Sequence, residues 1–530
     1  MAPAHAQRRT RAPEIEEEAL GLYYTPTTAA SRIGTRSLKQ GDSFAVLDGW
    51  GDAQALGPAA EGFFHEDMRH LSSLVLLIDG ERPLLLSSRV TRDNTMLAID
   101  LANPDLSEDS KVVLARDQVH LLRSKVLDEG ACFERIEIRN FAEHTVAFTL
   151  QFGFAADFAD MFEVRGQRRQ ARGEPLEPKI GKAETVLAYR GRDGVERRTH
   201  LQFDPPPATL TAREARYLVR LAPHAGTEIN LTLRCARAGK MPSKSRDFAE
   251  CCAAAGERVA RLAAASASVS SSNDAFNAWI ERSEADLDML VTEKATGPYP
   301  YAGIPWFNTA FGRDGLIAAI ETVWAMPHLA RGVLGLLAAT QAKTLDPAHD
   351  AEPGKILHEM RKCEMAATGE VPFARYYGTV DATPLFVVLA GCYLERTGDR
   401  EFAGELWPHV EAALQWMHVH GDADKDGFLE YDRRSDKGLA NQGWKDSGDS
   451  IFHADGRLAE PPIALVEVQA YFYAALQAAA QLARALDKTE AARPLEAEAR
   501  DLRRRFDAAF WCDEIGSYAL ALDGAKRPLA

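Results

Sequence analysis

Apolar and polar residues alternate in short runs through the first half of the chain. Residues 70–90 contain two such runs around Asp79 and Gly80, which predicts a β-hairpin with its turn at this pair. Because no helical pattern separates the runs, the sequence predicts a large antiparallel β-sandwich over residues 39–247. The charged segment 166–197, which contains Gly and Pro, is predicted to be an excursion from this core.

The spacing of apolar residues changes to the helical period near residue 250. The sequence predicts a linker helix and a serine-rich boundary over residues 248–273, with Asn273 or Asp274 as the cap of the next helix. Several of the later helices are apolar on more than one side, which is typical of inner helices packed against neighbours. The helices predicted after the boundary are residues 275–293, 314–326, 328–344, 382–397, 402–419, 462–486 and 489–510.

Long loops alternate with short ones between these helices. The long loops, 295–313, 345–380 and 420–461, are crowded with polar and aromatic residues. Long loops on alternate connections would lie together at one end of a helical toroid, so that their side chains surround one mouth. The chain is therefore predicted to be a multi-domain, β-then-α protein, with an (α/α)6-type toroid over residues 274–530 and a flexible tail at residues 1–38.

Composition and charge narrow the classes of partner. The 530 residues are 46% hydrophobic and 26% charged, which is typical of a soluble globular protein. The formal charge of −15 disfavours nucleic acid and anionic membranes as partners, and the basic run from Arg165 to Arg172 is predicted to be a solvated loop. The sequence leaves the oligomeric state open.

The cysteines and the N-terminus indicate the compartment. Seven cysteines at scattered positions, without a CxxC pair, favour reduced thiols over a disulfide framework. No apolar region follows Arg8 and Arg9, so the N-terminal segment is not a convincing export signal. No run approaches the length needed to span a bilayer. We therefore expect a cytoplasmic protein without a membrane segment.

The first long loop ends in a pair of charged residues. Arg313 and Asp314 follow two aromatic residues, Trp306 and Phe307, and enter a predicted helix. Asp314 alone is most simply explained as a helix cap, with Arg313 as its surface neighbour. The alternative is that the pair grips the hydroxyls of a sugar, since Arg offers donors and Asp offers acceptors, while an aromatic ring stacks on the apolar face.

The other two long loops carry further groups of the same kind. The second loop adds Glu359 and Asp381. The third contains the segment NQGWKDSGDS, with Trp444, Asp446 and Asp449. Three loops of this composition favour a polyol-binding cleft over three unrelated surface loops.

Several segments together resemble one family of enzymes. FGRDGLIA, GKILHEMR, YYGTVDATPLF and NQGWKDSGDS are similar to segments of the bacterial amylo-α-1,6-glucosidase or glycogen-debranching-like proteins. SFAVLDGWGD and ERIEIRNFAEH, in the first half, resemble the β-sandwich that precedes the barrel in that family. The resemblance covers residues 40–530. It implies an inverting glycoside hydrolase with an (α/α)6 barrel, no cofactor, and an α-glucan or another carbohydrate as its substrate.

The resemblance also implies roles for individual residues. Asp446 would be the general acid, and Arg313 with Asp314 would bind the sugar being cleaved. Such an acid must stay protonated until it meets the leaving oxygen, and a neighbouring indole and a nearby like charge would favour that form. The remaining candidates for the same cleft are Trp306, Trp444, Glu359, Asp381 and Asp449.

The helical half is shorter than the family's barrel. An (α/α)6 barrel has twelve helices, and the family's catalytic base is a Glu from the later helices that no Glu here matches. We therefore expect an incomplete barrel, from a fragment or truncated product or completed by something else, with activity or stability impaired in this chain alone. The alternatives are a hydrolase of a small glycoside, of mannosylglycerate or trehalose type, and a non-catalytic carbohydrate-binding protein.

One acidic loop is similar to a metal site. Asp422, Asp424 and Asp426 with Gly427 match the opening of an EF-hand calcium loop. The position that requires a bidentate Glu is Arg433, so a turn is favoured over a metal site. No P-loop, GxSxG, HExxH or Rossmann glycine motif is present, and neither a metal nor a cofactor is predicted.

Overall fold

A computed structural model of the chain describes residues 34–54, 60–108, 111–128, 130–240 and 246–530. The predicted flexible tail, residues 1–38, lies outside the described residues as far as residue 33. The first strand begins at Arg36.

The first half of the chain is built from strands and one short helix. Alternating apolar and polar residues form these strands because successive side chains point to opposite faces of a sheet. The short helix, α1, spans Met161–Val164. The strands are β1 Arg36–Gln40, β2 Ser43–Leu47, β3 Ala53–Gln54, β4 Gly62–His65, β5 Met68–Leu71, β6 Ser73–Ile78, β7 Leu84–Val90, β8 Met96–Ala102, β9 Leu106–Glu108, β10 Lys111–Leu114, β11 Val119–Asp128, β12 Ala131–Asn140, β13 Val146–Ala155, β14 Glu174–Ile180, β15 Glu184–Arg190, β16 Glu196–Asp204, β17 Thr209–Leu210, β18 Glu214–Leu221 and β19 Gly226–Arg237.

These strands form a sandwich of antiparallel sheets. An eight-stranded sheet has the order β14-β15-β16-β19-β12-β11-β8-β7, and a five-stranded sheet has the order β17-β18-β13-β6-β3. Strands β1-β2-β4-β5 form a third sheet. The two larger sheets share a core, since the buried rings of Phe152 in β13 and Phe203 in β16 lie 5.7 Å apart. The predicted sandwich is confirmed.

Two local predictions for this half are wrong. Asp79 and Gly80 do form a turn with positive φ angles, but β6 and β7 on either side belong to different sheets. The turn residues fix a chain reversal, whereas β6 pairs with β13 and β7 pairs with β8. Segment 166–197 is not an excursion, because β15 lies in the large sheet with Val186 and Tyr189 buried, and the charges of β14 lie on an exposed edge strand.

The second half is helical, and its helices begin and end close to the predicted positions. Of the two predicted caps, Asn273 is the one observed, and its side-chain oxygen accepts a hydrogen bond from the Phe276 N–H at 3.1 Å. The helices are α2 Phe248–Ala265, α3 Asp274–Leu290, α4 Gly312–Thr322, α5 Pro327–Thr340, α6 Glu364–Ala367, α7 Ala382–Thr397, α8 Arg400–Val419, α9 Val466–Ala485 and α10 Thr489–Phe510. Short strands lie in the connections: β20 Val291–Lys294, β21 Gly297–Pro300, β22 Ala310–Phe311, β23 Glu359–Met360, β24 Ala464–Leu465, β25 Trp511–Cys512, β26 Ser517–Tyr518 and β27 Ala521–Leu522.

The long loops meet beside the core of this half. Helix α7 lies at the centre of the core and packs against α4, α5, α8 and α9. Strands β22 and β23 pair and so join the first loop to the second. The Val380 N–H donates to the Gln442 carbonyl at 2.8 Å and so joins the second loop to the third. Among the described helices, none is both long enough and apolar enough for a membrane span.

The second long loop also binds to the sandwich through buried ion pairs. The Arg361 guanidinium, only 2% exposed, lies 3.0 Å from Asp67 and 2.8 Å from Glu359. Arg169 donates to Glu364 at 2.9 Å and its side chain is 1% exposed. The predicted solvated loop is correct for the exposed residues of segment 165–172, but Arg169 departs from it, because Glu163, Glu364 and Glu370 pair with its buried guanidinium.

Candidate active site

Arg313 lies in the first turn of α4, at a point where two long loops are paired. Strand β22 ends at Phe311, which pairs with Glu359 of β23. Gly312 follows, and a Cβ at this position would lie 1.9 Å from the Leu357 carbonyl oxygen, so only glycine fits. The close approach of the second loop therefore fixes the place from which the Arg313 side chain extends.

The Arg313 guanidinium joins the three long loops. Nη1 donates to the Gly443 carbonyl at 2.8 Å, and Nη2 donates to Oδ2 of Asp446 at 2.9 Å. Nη1 also lies 3.5 Å from Oδ2 of Asp381, and Nε lies 3.9 Å from Oδ2 of Asp314. A planar guanidinium suits this role because its donors point in fixed, diverging directions. The structure thus brings four of the predicted residues together.

Asp446 stands on a compact turn that its own segment builds. The Asn441 carboxamide donates to the Ser447 carbonyl at 2.7 Å and accepts from the Tyr431 hydroxyl at 2.8 Å. These bonds close the loop across the position of Asp446. The Asp446 side chain remains 39% exposed and is accessible to a bound molecule.

Burial distinguishes the carboxyls around Arg313. Asp381 is fully buried, and burial raises the pKa of its carboxyl while Arg313 partly offsets the rise. Desolvation also raises the pKa of Asp314, although its side chain is 39% exposed, as is that of Asp446. Asp446 accepts directly from the guanidinium. The cluster therefore combines one fully buried acid with two partly exposed ones.

The described structure does not bring four other predicted residues into contact with Arg313. Trp306 packs against the sandwich, and Glu359 pairs with Arg361 of the same interface. Trp444 is 57% exposed, and Asp449 lies on the exposed side of its loop. The indole of Trp444 is thus open to solvent, and the roles of these four residues at the site stay predictions.

Glu467 belongs to this site, although the sequence interpretation did not include it. It lies in the first turn of α9, and its Oε1 is 3.8 Å from the position that a Cβ on Gly443 would occupy. Burial, reinforced by the charge of Asp381, raises the pKa of the Glu467 carboxyl. In the sequence, Glu467 is indicated by its position, because α9 follows the third long loop as α4 follows the first.

The acidic loop after α8 is a turn in which three carboxylates pair with one lysine. Carboxylate oxygens of Asp424, Asp426 and Glu430 lie 3.0, 2.8 and 2.8 Å from Nζ of Lys526. With Asp422 these residues are close enough to one another to hold a cation, but the Lys526 ammonium already contacts three of them. The salt bridges with Lys526 account for Asp424, Asp426 and Glu430.

Gly312→Ala is expected to disrupt the Arg313 cluster. The added methyl group would overlap a backbone carbonyl, which cannot move aside as a side chain can, so α4 and Arg313 must shift. A misplacement of about 1 Å at a site can lower activity by about 10²-fold, and we expect a loss of that size in kcat/KM.

Gly448→Ala is the matched control for this change. Gly448 lies in the same loop as Asp446, and nothing stands within 4 Å of its Cβ position. Thermal unfolding and kcat/KM of both variants would be measured beside the unaltered chain. Unchanged kcat/KM in Gly312→Ala would contradict the tight fit described here.

Two family models match parts of the chain. Residues 38–232 match the N-terminal domain of (some) glycogen debranching enzymes. Residues 348–525 match the bacterial alpha-L-rhamnosidase 6 hairpin glycosidase domain. Among curated proteins, none matches the chain in sequence. The chain thus combines a debranching-type sandwich with a six-hairpin glycosidase domain, as the resemblance implies.

Two solved structures share the fold of the chain. A structure assigned as a kojibiose phosphorylase from human microbiome is 9% identical, with a TM-score of 0.57 and a match over 92% of this chain and 69% of that one. A bacterial glucoamylase complexed with acarbose is 11% identical, with a TM-score of 0.52 and a match over 96% and 73% of the two chains. These likenesses confirm the fold, a β-sandwich followed by helices of the (α/α)6 type.

Proposed function

We propose that this chain, which belongs to the glycoside hydrolase class and has a debranching-type N-terminal domain, hydrolyses an α-glucosidic bond with inversion of configuration. The proposed substrate is an α-glucan with 1,6 branches, as for amylo-α-1,6-glucosidases in carbohydrate metabolism. The two domain matches support the enzyme class. The meeting of three long loops at Arg313 supports a site for a polyhydroxylated ligand.

The observation that carries the proposal is the 2.9 Å bond between Arg313 and Asp446, which holds the loop NQGWKDSGDS against the start of α4. One oxygen of Asp446 accepts this bond, and the side chain stays partly exposed. In the proposed reaction the other oxygen carries a proton to the leaving glycosidic oxygen. Water attacks the anomeric carbon from the opposite face of the sugar and gives up a proton to a base on that face.

Asp314 is proposed to bind the sugar ring that is cleaved. The cap of α4 is Phe311, without a side-chain cap bond, so Asp314 does not serve as the N-cap. Its buried Oδ2 has no hydrogen-bond partner among the described residues. An orphaned buried acceptor destabilises the folded chain, and a sugar hydroxyl donating to it would supply the missing bond. This favours the sugar-binding interpretation of the Arg313–Asp314 pair.

The proposed compartment is the cytoplasm. All seven cysteines of the chain are unpaired in the structure. Disulfides form and persist in oxidising compartments, so scattered free thiols support a reducing one.

A substrate panel tests the proposed reaction. The purified chain would be incubated with a branched dextrin, with trehalose and with mannosylglycerate, each in the presence and absence of inorganic phosphate. We expect release of glucose from the branched dextrin without phosphate. Proton NMR of the fresh product should show the β-anomer first, because inversion at an α-linked carbon gives the β configuration.

Any other result of this panel would favour one of the alternative functions. Hydrolysis of trehalose or mannosylglycerate alone would favour a hydrolase of small glycosides. Release that requires phosphate would replace hydrolysis with phosphorolysis, and an α-anomer as first product would exclude inversion. Binding of acarbose without turnover of any substrate would favour a carbohydrate-binding protein.

A further inference from the structure

Glu467 lies where the start of α9 packs against the loop of Asp446. Its Oε1 is 3.8 Å from the Cβ position of Gly443, and the carbonyl of Gly443 accepts the Arg313 bond at 2.8 Å. The same Cβ position is 2.2 Å from Cδ1 of Leu465, two residues before Glu467. Gly443 therefore lies next to both the Glu467 carboxyl and the Arg313 guanidinium.

The Glu467 carboxyl accepts from its own backbone and makes no hydrogen bond or ion pair with another residue within the described part of the chain, and the residue is half-buried. Burial and the charge of Asp381 raise its pKa, and Lys445 opposes this rise. Tyr471 lies one helical turn later on the same face of α9, and burial raises the pKa of its hydroxyl, with Glu467 and Asp381 adding to the rise and Arg313 opposing it. This face of α9 is therefore directed at the Arg313 cluster, and its carboxyl is available to a ligand.

Another glutamate of the chain, Glu490, serves as a control for a purely structural role of Glu467. A carboxylate in the first turn of a helix is stabilised by the partial positive charge of the helix start. Glu490 occupies the corresponding first-turn place in α10 and is exposed. Both glutamates share the helix effect, but only Glu467 lies beside Gly443. Substitutions of Glu490 therefore measure the effect of the helix start alone, without any role at the site.

We propose that Glu467 is a substrate-binding residue whose carboxyl forms hydrogen bonds with hydroxyl groups of the sugar ring held beside Arg313 and Asp314. The assignment rests on the proposed function, because it requires a sugar at this mouth. The two oxygens of a carboxylate accept hydrogen bonds from two neighbouring hydroxyls, and a ring hydroxyl offers the matching O–H donor. With Asp381 and Asp446 nearby, the carboxyl selects an uncharged polyol here and repels an anionic group.

Calorimetric binding of acarbose to the full chain tests this assignment. Loss of a hydrogen bond to a charged group weakens binding by about 10- to 100-fold, so Glu467→Ala should raise Kd by at least about tenfold. Glu467→Gln keeps an oxygen acceptor and adds N–H donors, and it should raise Kd by about two- to tenfold. Glu490→Ala and Glu490→Gln should bind as the unaltered chain does.

The outcomes separate this assignment from the proposed function. Unaltered acarbose binding by Glu467→Ala, in a chain that turns over branched dextrin, would overturn the assignment alone. Equal weakening in Glu490→Ala would attribute the effect to the helix start and would also overturn it. Should Glu467→Ala fail to fold, an unchanged Kd in Glu467→Gln would be decisive against it. An unaltered chain that binds no acarbose would overturn both proposals together.

Discussion

Asp446→Asn is expected to lower kcat on branched dextrin by about 10²- to 10⁴-fold, the range over which a positioned acid contributes to a reaction. The amide cannot deliver a proton to the leaving oxygen. Its oxygen can still accept the Arg313 bond that holds the loop, so the sugar-binding surface should be retained. Initial rates give kcat, and calorimetry with acarbose should give a Kd within about threefold of the unaltered chain.

The control for this variant is Asp436→Asn. Asp436 is an exposed carboxylate in the same long loop, and it should leave kcat and Kd unchanged. Unaltered kcat in Asp446→Asn would remove Asp446 from the role of acid. A rise in Kd that matches the fall in kcat/KM would instead indicate that Asp446 positions the sugar.

Arg361→Met is expected to lower the free energy of unfolding by about 3–5 kcal/mol, since removing one partner of a buried ion pair leaves uncompensated charge. The side chain lies between Asp67 of the sandwich and Glu359 of the second loop. It also donates to the Trp306 carbonyl at 2.9 Å. Denaturant unfolding measures the loss, and Arg400→Met, which removes an exposed pair with Asp487, should show no measurable change.

The decrease in the free energy of unfolding caused by Arg361→Met is expected to be smaller at low pH. Burial raises the pKa of both Asp67 and Glu359 in the folded chain. Their folded forms therefore bind protons more readily than the unfolded chain does. This contribution to stability is present at low pH and is lost as pH rises through the folded-state pKa values. Without the Arg361 charge the effect grows, and equal losses at about pH 5 and about pH 8 would contradict it.

Local periodicity predicts most of the fold, but it does not choose partners between distant segments. The apolar spacing places the long helices within a few residues because helical burial repeats every three to four positions. The turn at Asp79 and Gly80 is also evident from its residues. That β6 and β7 enter different sheets depends on strands far away in sequence. The burial of Arg169 by Glu364 is likewise a long-range pairing that no local pattern contains.

The site is predictable where its residues stand in or directly after a loop rich in polar and aromatic residues. Asp446 lies in such a loop, and Arg313 and Asp381 stand at the ends of two others, and the structure joins the three. Glu467 lies within an amphipathic helix, where a polar residue is ordinary and its direction depends on how α9 meets the loop of Asp446. The position of Trp306 in the first long loop predicts that it lies in the cleft, but its ring packs on the sandwich.

The contacts of Arg361 have a consequence for protein engineering. This side chain holds a carboxylate of the sandwich, a carboxylate of the second loop and the backbone of the first loop at once. The sandwich is thus part of the support for the loops that flank Arg313. A chimera that joins this helical domain to a foreign sandwich needs an equivalent of Asp67 at the junction. A graft of either half should therefore include the junction residues that form this shared ion network.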